Sequence, residues 1–485
     1  MKRIATLLLV VALLLSSTVA VSAAIPDPGP GKTNIFIQNI GTADASVSLV
    51  FTTGETGGQA WTTDTGGTIA PKASKYVLYT MFGGTITDGW AGAVEVSATE
   101  PLAAIVNMFW DNEATGAHTA ATYTGVDNPA TGVYLPNLLV RDERQTRVTV
   151  QNTEDATANI TIQFYNRNGT LVGSKADTIP AKSEKTYYLQ NVPEANFSAT
   201  AGTGSAYITS NKKIAAVASL HWVDASEAYS GVSAGDTVLW VPGVFRRGWG
   251  GSWQNYSATI VQNLGDATAN VTVQFINMDN TVQHTLTDSI APKASAGYNT
   301  IAQGTMDPTK FNNMIAALGD NWQGTMKFTC TNGQPLAGVS FYFPKSTGVP
   351  DIIAYNAIRN SDATDKALSF PAVYRKLTGA SSDQWSAILV QNIAATAGTL
   401  AVEFYNTSGA KVGSTYNVPI PANGSVRLNC KVGLELPGEA LTALGTGFVG
   451  SMYITPSAGV RVIGVSNILF TGTGRASGYS GFPVP

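Results

Sequence analysis

The side chains best suited to chemistry are few and scattered. Three histidines, His118, His221 and His284, stand in no H-x-x-H or H-E-x-x-H setting, so no local zinc site is written into the chain. Three glycine patterns imitate catalytic or phosphate-binding loops. Gly231-Val232-Ser233-Ala234-Gly235 has the form of a nucleophile elbow, but it falls between repeats, without a strand before it and a helix after. Gly445-Thr446-Gly447-Phe448-Val449-Gly450 fits a dinucleotide loop, yet it runs into a strand where that site needs a helix. Gly31-Lys32-Thr33 ends like a phosphate loop, but Pro26 stands where its first glycine belongs. The closest carboxylates, Asp142-Glu143, Glu154-Asp155 and the pair Asp362 and Asp365, have no calcium-loop spacing, and nothing fixes a separation that would make two of them a glycosidase pair. The expectation is a protein that is not an enzyme and that carries no cofactor, no metal and no catalytic residue.

Aromatic residues are the better lead. In Phe245-Arg246-Arg247-Gly248-Trp249-Gly250-Gly251-Ser252-Trp253, Trp249 and Trp253 could stack on a sugar ring while Arg246 and Arg247 grip an anionic glycan. The competing reading is structural: Arg375-Lys376 holds the same place one repeat later, and aromatic rings commonly cover joints between domains. Seven Asn-x-Ser/Thr sequons occur; Asn159 and Asn270 occupy one repeated position on a face expected to point outward, as candidate glycosylation sites. Cys330 and Cys430 are the whole cysteine complement, and a disulfide between them, two free thiols and an intermolecular bridge all stay open.

The chain begins as an exported protein does. Lys2-Arg3 precede an apolar run from Ile4 to Leu15, and Val21-Ser22-Ala23 has the small-residue form of a cleavage site. Charged residues make up 13% of the sequence and the net charge is −3, too little basic field to hold nucleic acid or an anionic membrane. The expected location is therefore extracellular or at the cell surface, without a membrane span once the leader is removed.

Everything after the leader is organised by a repeat. Phe36-Ile37-Gln38-Asn39, Thr149-Val150-Gln151-Asn152, Ile260-Val261-Gln262-Asn263 and Leu389-Val390-Gln391-Asn392 recur at intervals of roughly 110–130 residues, the length of a domain rather than of a solenoid turn or propeller blade. After each comes a strand that alternates apolar and polar residues, such as Val271, Val273 and Phe275 around Thr272 and Gln274. A hairpin turn often follows (Asn168-Gly169, Ser408-Gly409), then a proline turn opening at Pro71, Pro180, Pro292 or Pro421. Each repeat closes on a tyrosine (Tyr123, Tyr229, Tyr355, Tyr479), and an apolar-proline pair leads into the next. One pair, Phe482-Pro483, is left over at the end; it is expected to pair into the last repeat, with docking to a neighbouring subunit as the alternative. Asp307-Pro308 is expected to start a helix that runs to Leu318. The Gln-Asn pairs are read as turn-holding residues, since Asn suits the turn after a strand and a Gln amide can satisfy loop backbone.

The fold class is therefore all-β: four tandem antiparallel β-sandwich modules. The segments are a signal peptide over 1–24 and modules over 25–132, 133–237, 238–366 and 367–485. Short connections favour an elongated rod. Through its Val-Gln-Asn strand ends, its Phe164-Tyr165-Asn166 and Phe404-Tyr405-Asn406 turns and its proline turns, the mature chain resembles the tandem immunoglobulin-like or fibronectin-like repeats of secreted microbial surface proteins. The Cys…Trp…Cys hallmark of antibody domains is absent, so the resemblance is one of architecture. It implies a structural, spacer or adhesive role, with the chain itself (as a filament or layer) or surface glycans as partners, and it transfers no binding residue. A carbohydrate-binding protein using the Trp249 and Trp253 loop is the alternative; a hydrolase lacks a placed nucleophile.

Overall fold

Alternation along the strands decides which face each side chain takes. In the strand over Ala269–Asn277, Ala269, Val271, Val273 and Phe275 are buried, while Asn270 is exposed and Thr272 and Gln274 are half-buried. The computed structural model describes residues 31–485 apart from 65–66, 79–80, 82–85, 87–88, 113–115, 142–143, 223, 249–252, 347–351, 380–382 and 472–474. The signal peptide, Ile25-Pro26 and Asp142-Glu143 lie outside the described residues.

Module 1 holds β1 (Gly31–Asn39), β2 (Val47–Thr53), β3 (Gln59–Asp64), β4 (Ser74–Val77), β5 (Gly92–Ala98), β6 (Leu102–Asn112) and β7 (Ala117–Thr124). Module 2 holds β8 (Ala130–Arg141), β9 (Arg144–Asn152), β10 (Ala158–Asn166), β11 (Leu171–Ile179), β12 (Glu184–Tyr188), β13 (Thr203–Trp222) and β14 (Ser226–Ser230). Module 3 holds β15 (Val238–Arg247), β16 (Trp253–Asn263), β17 (Ala269–Asn277), β18 (Val282–Ile290), β19 (Ser295–Asn299), α1 (Pro308–Leu318), β20 (Asn321–Cys330), β21 (Leu336–Ser346), β22 (Ile353–Asn356) and β23 (Ile358–Arg359). Module 4 holds β24 (Leu368–Lys376), β25 (Gln384–Asn392), β26 (Gly398–Asn406), β27 (Lys411–Ile420), β28 (Ser425–Asn429), β29 (Gly433–Leu434), α2 (Gly438–Leu444), β30 (Gly447–Pro456), β31 (Val462–Phe470), β32 (Ser477–Ser480) and β33 (Phe482–Pro483).

Each module is two antiparallel layers. In module 3 they run β18-β17-β20-β15 and β19-β16-β21-β22; in module 4, β27-β26-β30-β24 and β28-β25-β31-β32. Module 1 pairs β4-β1-β6-β7 opposite β3-β2-β5. Module 2 joins its layers through β13, whose first half pairs β10 and β8 and whose second half pairs β9 and β14.

The apolar-proline pair and the closing tyrosine belong to one device. The register of each opening strand slips beside its proline: between Pro242 and Val244, between Phe370 and Val373, and on β8 opposite Gly204 and Ala206. A bulge leaves backbone groups unpaired. The buried tyrosine hydroxyls take them up: Tyr229 donates to Asn137 O, Tyr355 to Pro242 O, and Tyr479 to Ala372 O at 2.9 Å. The Gln-Asn asparagines hold the other turns. Asn263 Nδ2 donates to Ala267 O at 2.8 Å and Ile290 O at 2.9 Å, and its Oδ1 accepts from the Gly265 N–H. Asn39, Asn152 and Asn392 tie their own turns in the same way.

Helix α1 forms where expected, with Asp307 accepting from the Thr309 and Lys310 N–H groups and Pro308 at its start. It packs on the edge strand β18, where Gln283 Nε2 donates to Ala317 O. Helix α2, which the sequence did not announce, covers the equivalent edge β27. Covering blunts two strands that could otherwise template another chain. Among the described residues no helix is long and apolar enough to cross a membrane, which says nothing of crossing by strands.

The modules are not strung out. Each proline turn packs on the β-hairpin of the module before it: Ser295 N donates to Arg167 O, Ser425 N to Met278 O, and Ser183 Oγ to Thr53 O. Module 1 makes the same contact with module 4, Ser74 N donating to Thr407 O at 3.0 Å. Tyr76 and Tyr374 share a hydrogen bond of 2.9 Å across that seam, and Phe36 and Ile105 of module 1 are buried in the core of module 4. The elongated arrangement is therefore corrected: the chain closes into a ring of four modules. Apolar surface on the flanks of modules 1, 3 and 4 is the reason, since an open rod would leave Phe36 and Ile105 of module 1 in water.

Two hairpin glycines make the approach achievable. Gly409 has φ +83°, and a Cβ there would lie 2.8 Å from Pro71 O of module 1. Gly169 has φ +89°, with Pro292 O of module 3 at 2.3 Å from the same point. A Gly409→Val substitution should thus do more than add backbone strain of about 1–2 kcal/mol. It should part modules 4 and 1, raising the radius of gyration and lowering the melting midpoint. Unchanged X-ray scattering from the variant would contradict this account of the seam.

Candidate functional site

Three of the four repeated glutamines bridge seams, each side chain bonding two modules. Gln38 Nε2 donates to Lys72 O of its own proline turn at 3.2 Å, and its Oε1 accepts from Ser369 Oγ of module 4 at 2.7 Å. Gln391 Nε2 donates to Asn423 O, and its Oε1 accepts from Thr325 Oγ1 of module 3, both at 2.7 Å. Gln262 donates to Lys293 O and to Ser205 Oγ of module 2. Ser205 and Thr325 directly follow the module glycines Gly204 and Gly324. Module 1 has Ala93 at that place, after Gly92, and Gln151 of module 2 is only half-buried. The 1/2 seam relies instead on Lys182–Glu95 at 3.1 Å and on buried Glu184, whose carboxyl is pushed up by burial.

Of the four residues expected to hold a glycan, the side chains of Arg246 and Arg247 are among those described. Trp249 lies outside the described residues, and of Trp253 only the backbone in β16 is described. Arg246 is buried and committed: Nε donates to Gly319 O at 2.8 Å, one terminal nitrogen to Thr300 O at 2.8 Å, and the other to Asp320 Oδ1 at 3.1 Å. Its counterpart Arg375 donates to Cys430 O and Lys431 O. The first arginine of the pair is thus a strut that ties loops to the module end. Arg247 is exposed and donates to Gln323 Oε1 at 2.9 Å.

Cys330 and Cys430 are both free and both buried, so no disulfide joins them. Burial pushes the Cys430 thiol up to about 12, which makes it a poor nucleophile. Asn159 and Asn270 are exposed on β10 and β17, on the outward face expected of them. His221 is buried against the edge of the Trp110 ring and bonded to Ser226 and Ser219; burial, then Arg147, pushes it down to about 3, so it stays neutral. His118 bonds Asp111 at 2.8 Å, and that carboxylate also takes Lys32 and Arg475, the latter from module 4. The His118 bond, with those cations, holds Asp111 down at about 2. Among the described residues no group of three or more His, Cys, Asp and Glu side chains is placed to hold a metal ion.

Sequence reasoning passed over the centre of the ring. The closing strands β7, β14, β22 and β32 pack against one another in cyclic order. Their last residues, Thr124, Ser230, Asn356 and Ser480, stand around one end of the axis, where residues of all four modules line a cavity of about 370 Å³. Ser230 Oγ donates to Thr124 O at 2.7 Å and Asn356 Nδ2 to Ser230 O at 2.8 Å, each reaching back to the preceding module. The signal in the sequence was the polar residue after every closing tyrosine. Deeper in β14, Glu227 is fully buried at the junction with module 3. Burial raises its carboxyl well above the usual range, although the N–H groups of Ala228 and Ala354 bond it, and its Oε2 has no hydrogen-bond partner.

No family model and no curated protein matches the chain. Among solved structures it is similar over a limited stretch to the crystal structure of Thermotoga maritima 1070, with 17% identity, 22% of this chain and 95% of that chain covered, and a TM-score of 0.19. It is likewise similar to the Anabaena sensory rhodopsin transducer, with 20% identity, 19% and 97% coverage and a TM-score of 0.17. Likeness at these scores has no bearing on what the chain does.

Glu227 gives a pH dependence of known sign. Below about pH 4 the carboxyl is protonated in both folded and unfolded chains and costs nothing. As pH rises the unfolded chain ionises first, and the buried group then opposes folding. Glu227→Gln should raise the melting midpoint at pH 7 to 9, by an amount on the order of 1–3 kcal/mol for a relieved buried polar group, and should match the parent near pH 4. A variant less stable than the parent at pH 8 would show that the carboxylate is paired and ionised.

Proposed function

We propose that the chain is a non-enzymatic, exported protein with a structural or adhesive role at the cell surface or in an extracellular layer, and that its working unit is the closed ring. The reading rests on where the repeated residues are spent. The Gln-Asn pairs, proline turns, hairpin glycines and closing tyrosines go into holding modules shut and joining them. A chain that devotes its repeated polar residues to internal joints is built as a durable scaffold. The leader-like start and low charge support a location outside the cytoplasm, in keeping with the likeness to repeat modules of secreted microbial surface proteins.

Assembly with copies of itself through the terminal strand is the weaker form of this reading. The surplus pair Phe482-Pro483 forms β33 and is paired with Leu368 and Ser369 of its own module.

Fractionation of the producing cells tests the proposal. The mature chain should be recovered from the surface or the medium, with its N-terminus near residue 24 or 25, and should turn over none of a broad panel of hydrolase substrates. Retention in the cytoplasm with the leader intact, or turnover abolished by Ser233→Ala, would overturn it.

A further inference from the structure

The exposed apolar side chains are not scattered. Among the described residues seven large ones stand in solvent. Five of them, Leu78, Met81, Tyr188, Val432 and Leu434, end or follow one strand of the repeat, β4, β12 or β28. That strand lies three antiparallel pairings from its module's closing strand, in the orders β4-β1-β6-β7, β12-β9-β13-β14 and β28-β25-β31-β32. The closing strands all end at the axial cavity, so β4, β12 and β28 run away from it and deliver the five side chains to the opposite face of the ring. Met81, Val432 and Leu434 expose 59, 62 and 52% of their surface there. Leu434 does so at φ +62°, a left-handed backbone that leucine rarely takes. Single exposed apolar residues are ordinary; the same place used in three modules is not.

Charge around these tips selects the partner. The net charge of −3 is unevenly spread, and cations gather at this face. Its carboxylates Asp111, Asp320, Asp383 and Glu435 are each held by a cation, from Arg475, Arg246, Lys431 and Arg427 in turn. Arg141, Arg144, Arg247 and Lys376 make no ion pair among the described residues; Arg247 bonds the neutral Gln323. Segment 141–147 as a whole sets three arginines against Asp142 and Glu143. Arg147 lies 4.8 Å from the centre of the Tyr188 ring, and Lys431 4.2 Å from that of Trp385, so cations stand directly beside the apolar groups. Leucine, valine and methionine offer a sugar neither a ring to stack on nor a hydrogen bond. A second copy placed face to face would set cation against cation. A lipid surface with anionic head groups meets both features: aliphatic tips enter the acyl boundary while arginine and lysine stay with the head groups. Tips on separate modules of one closed ring act together, so each adds to the hold of the others.

We propose that the face opposite the axial cavity docks the ring on an anionic lipid surface, without spanning it, through the apolar tips of modules 1, 2 and 4. This deepens the surface role by naming how the protein is held there. It rests on that reading only for its setting; the geometry comes from the closed ring.

Co-flotation of the intact mature chain with vesicles tests it, using phosphatidylcholine alone and phosphatidylcholine mixed with phosphatidylglycerol. The expected result is binding to the mixed vesicles, at least tenfold weaker to the neutral ones and weakened by added salt. Leu434→Asn should weaken binding at least tenfold while raising the melting midpoint, because asparagine tolerates the left-handed backbone. Adding Val432→Ser and Met81→Ser should abolish binding, with X-ray scattering identical to the parent. Val282→Ser, on a seam hairpin, should bind as the parent does. No binding to the anionic vesicles, equal binding to neutral ones, or an equal loss in Val282→Ser would overturn the proposal. So would concentration-dependent self-association in sedimentation that disappears in Leu434→Asn, since the tips would then meet a second copy. Cytoplasmic residence would sink the surface role without touching vesicle binding. Failure to bind vesicles would leave an exported scaffold held by other means, so the two failures can be told apart.

Discussion

Everything else in the molecule depends on the seam between one module's proline turn and the preceding module's hairpin. At that contact the backbone N–H of Ser74, Ser295 or Ser425 finds a carbonyl of another module, and a buried glutamine bonds both sides. A neutral hydrogen bond has a modest net worth, about 0.5–1.5 kcal/mol. Its geometry matters more. Made at three seams, with the Ser183 Oγ bond to Thr53 O in its place between modules 1 and 2, this contact fixes the angle between successive modules, and that angle returns the fourth module to the first. Packing of module flanks into neighbouring cores then supplies the apolar driving force: Ile260, Val339 and Phe341 of module 3 lie in the core of module 2, and Leu389 and Val465 of module 4 in that of module 3.

The seams are not equal. Module 4 meets module 1 without a chain connection, and that seam carries Tyr76–Tyr374, Lys72–Tyr405, Ser369–Gln38 and the buried Phe36 and Ile105. Between modules 1 and 2 the chain itself runs across. There the described contacts are more polar, and the apolar cluster is small, around Trp110, Ala121 and Ala228.

Local features were legible in the sequence because their causes are local. Alternation around Val271 and Val273 predicts the strand faces, Asp307-Pro308 predicts the start of α1, and Asn263 sits at a turn as its chemistry requires. The layout of four β-sandwich modules followed from their recurrence. The ring did not, because its evidence lies in pairs such as Ser369 and Gln38, 331 residues apart, whose types are ordinary and whose meeting depends on the whole fold. Helix α2 was missed for a local reason: its N-cap, Pro437, makes no side-chain cap. Arg246 was weighed as a glycan ligand because a doublet beside tryptophans looks exposed, whereas burial beneath Thr300 and Gly319 is a tertiary fact. The axial cavity, assembled from four distant turns, left only the polar residue after each closing tyrosine as a trace.

Closure is the central claim, and small-angle X-ray scattering of the monomeric mature chain tests it most directly. A compact body of this length has a radius of gyration of roughly 23 Å, and the ring should lie near 25 Å. Four modules in a line would give roughly 40 Å, with a pair-distance distribution drawn out to one side. A value near 25 Å with a symmetric distribution is the predicted result; a value near 40 Å would contradict the ring and remove the axial cavity with it.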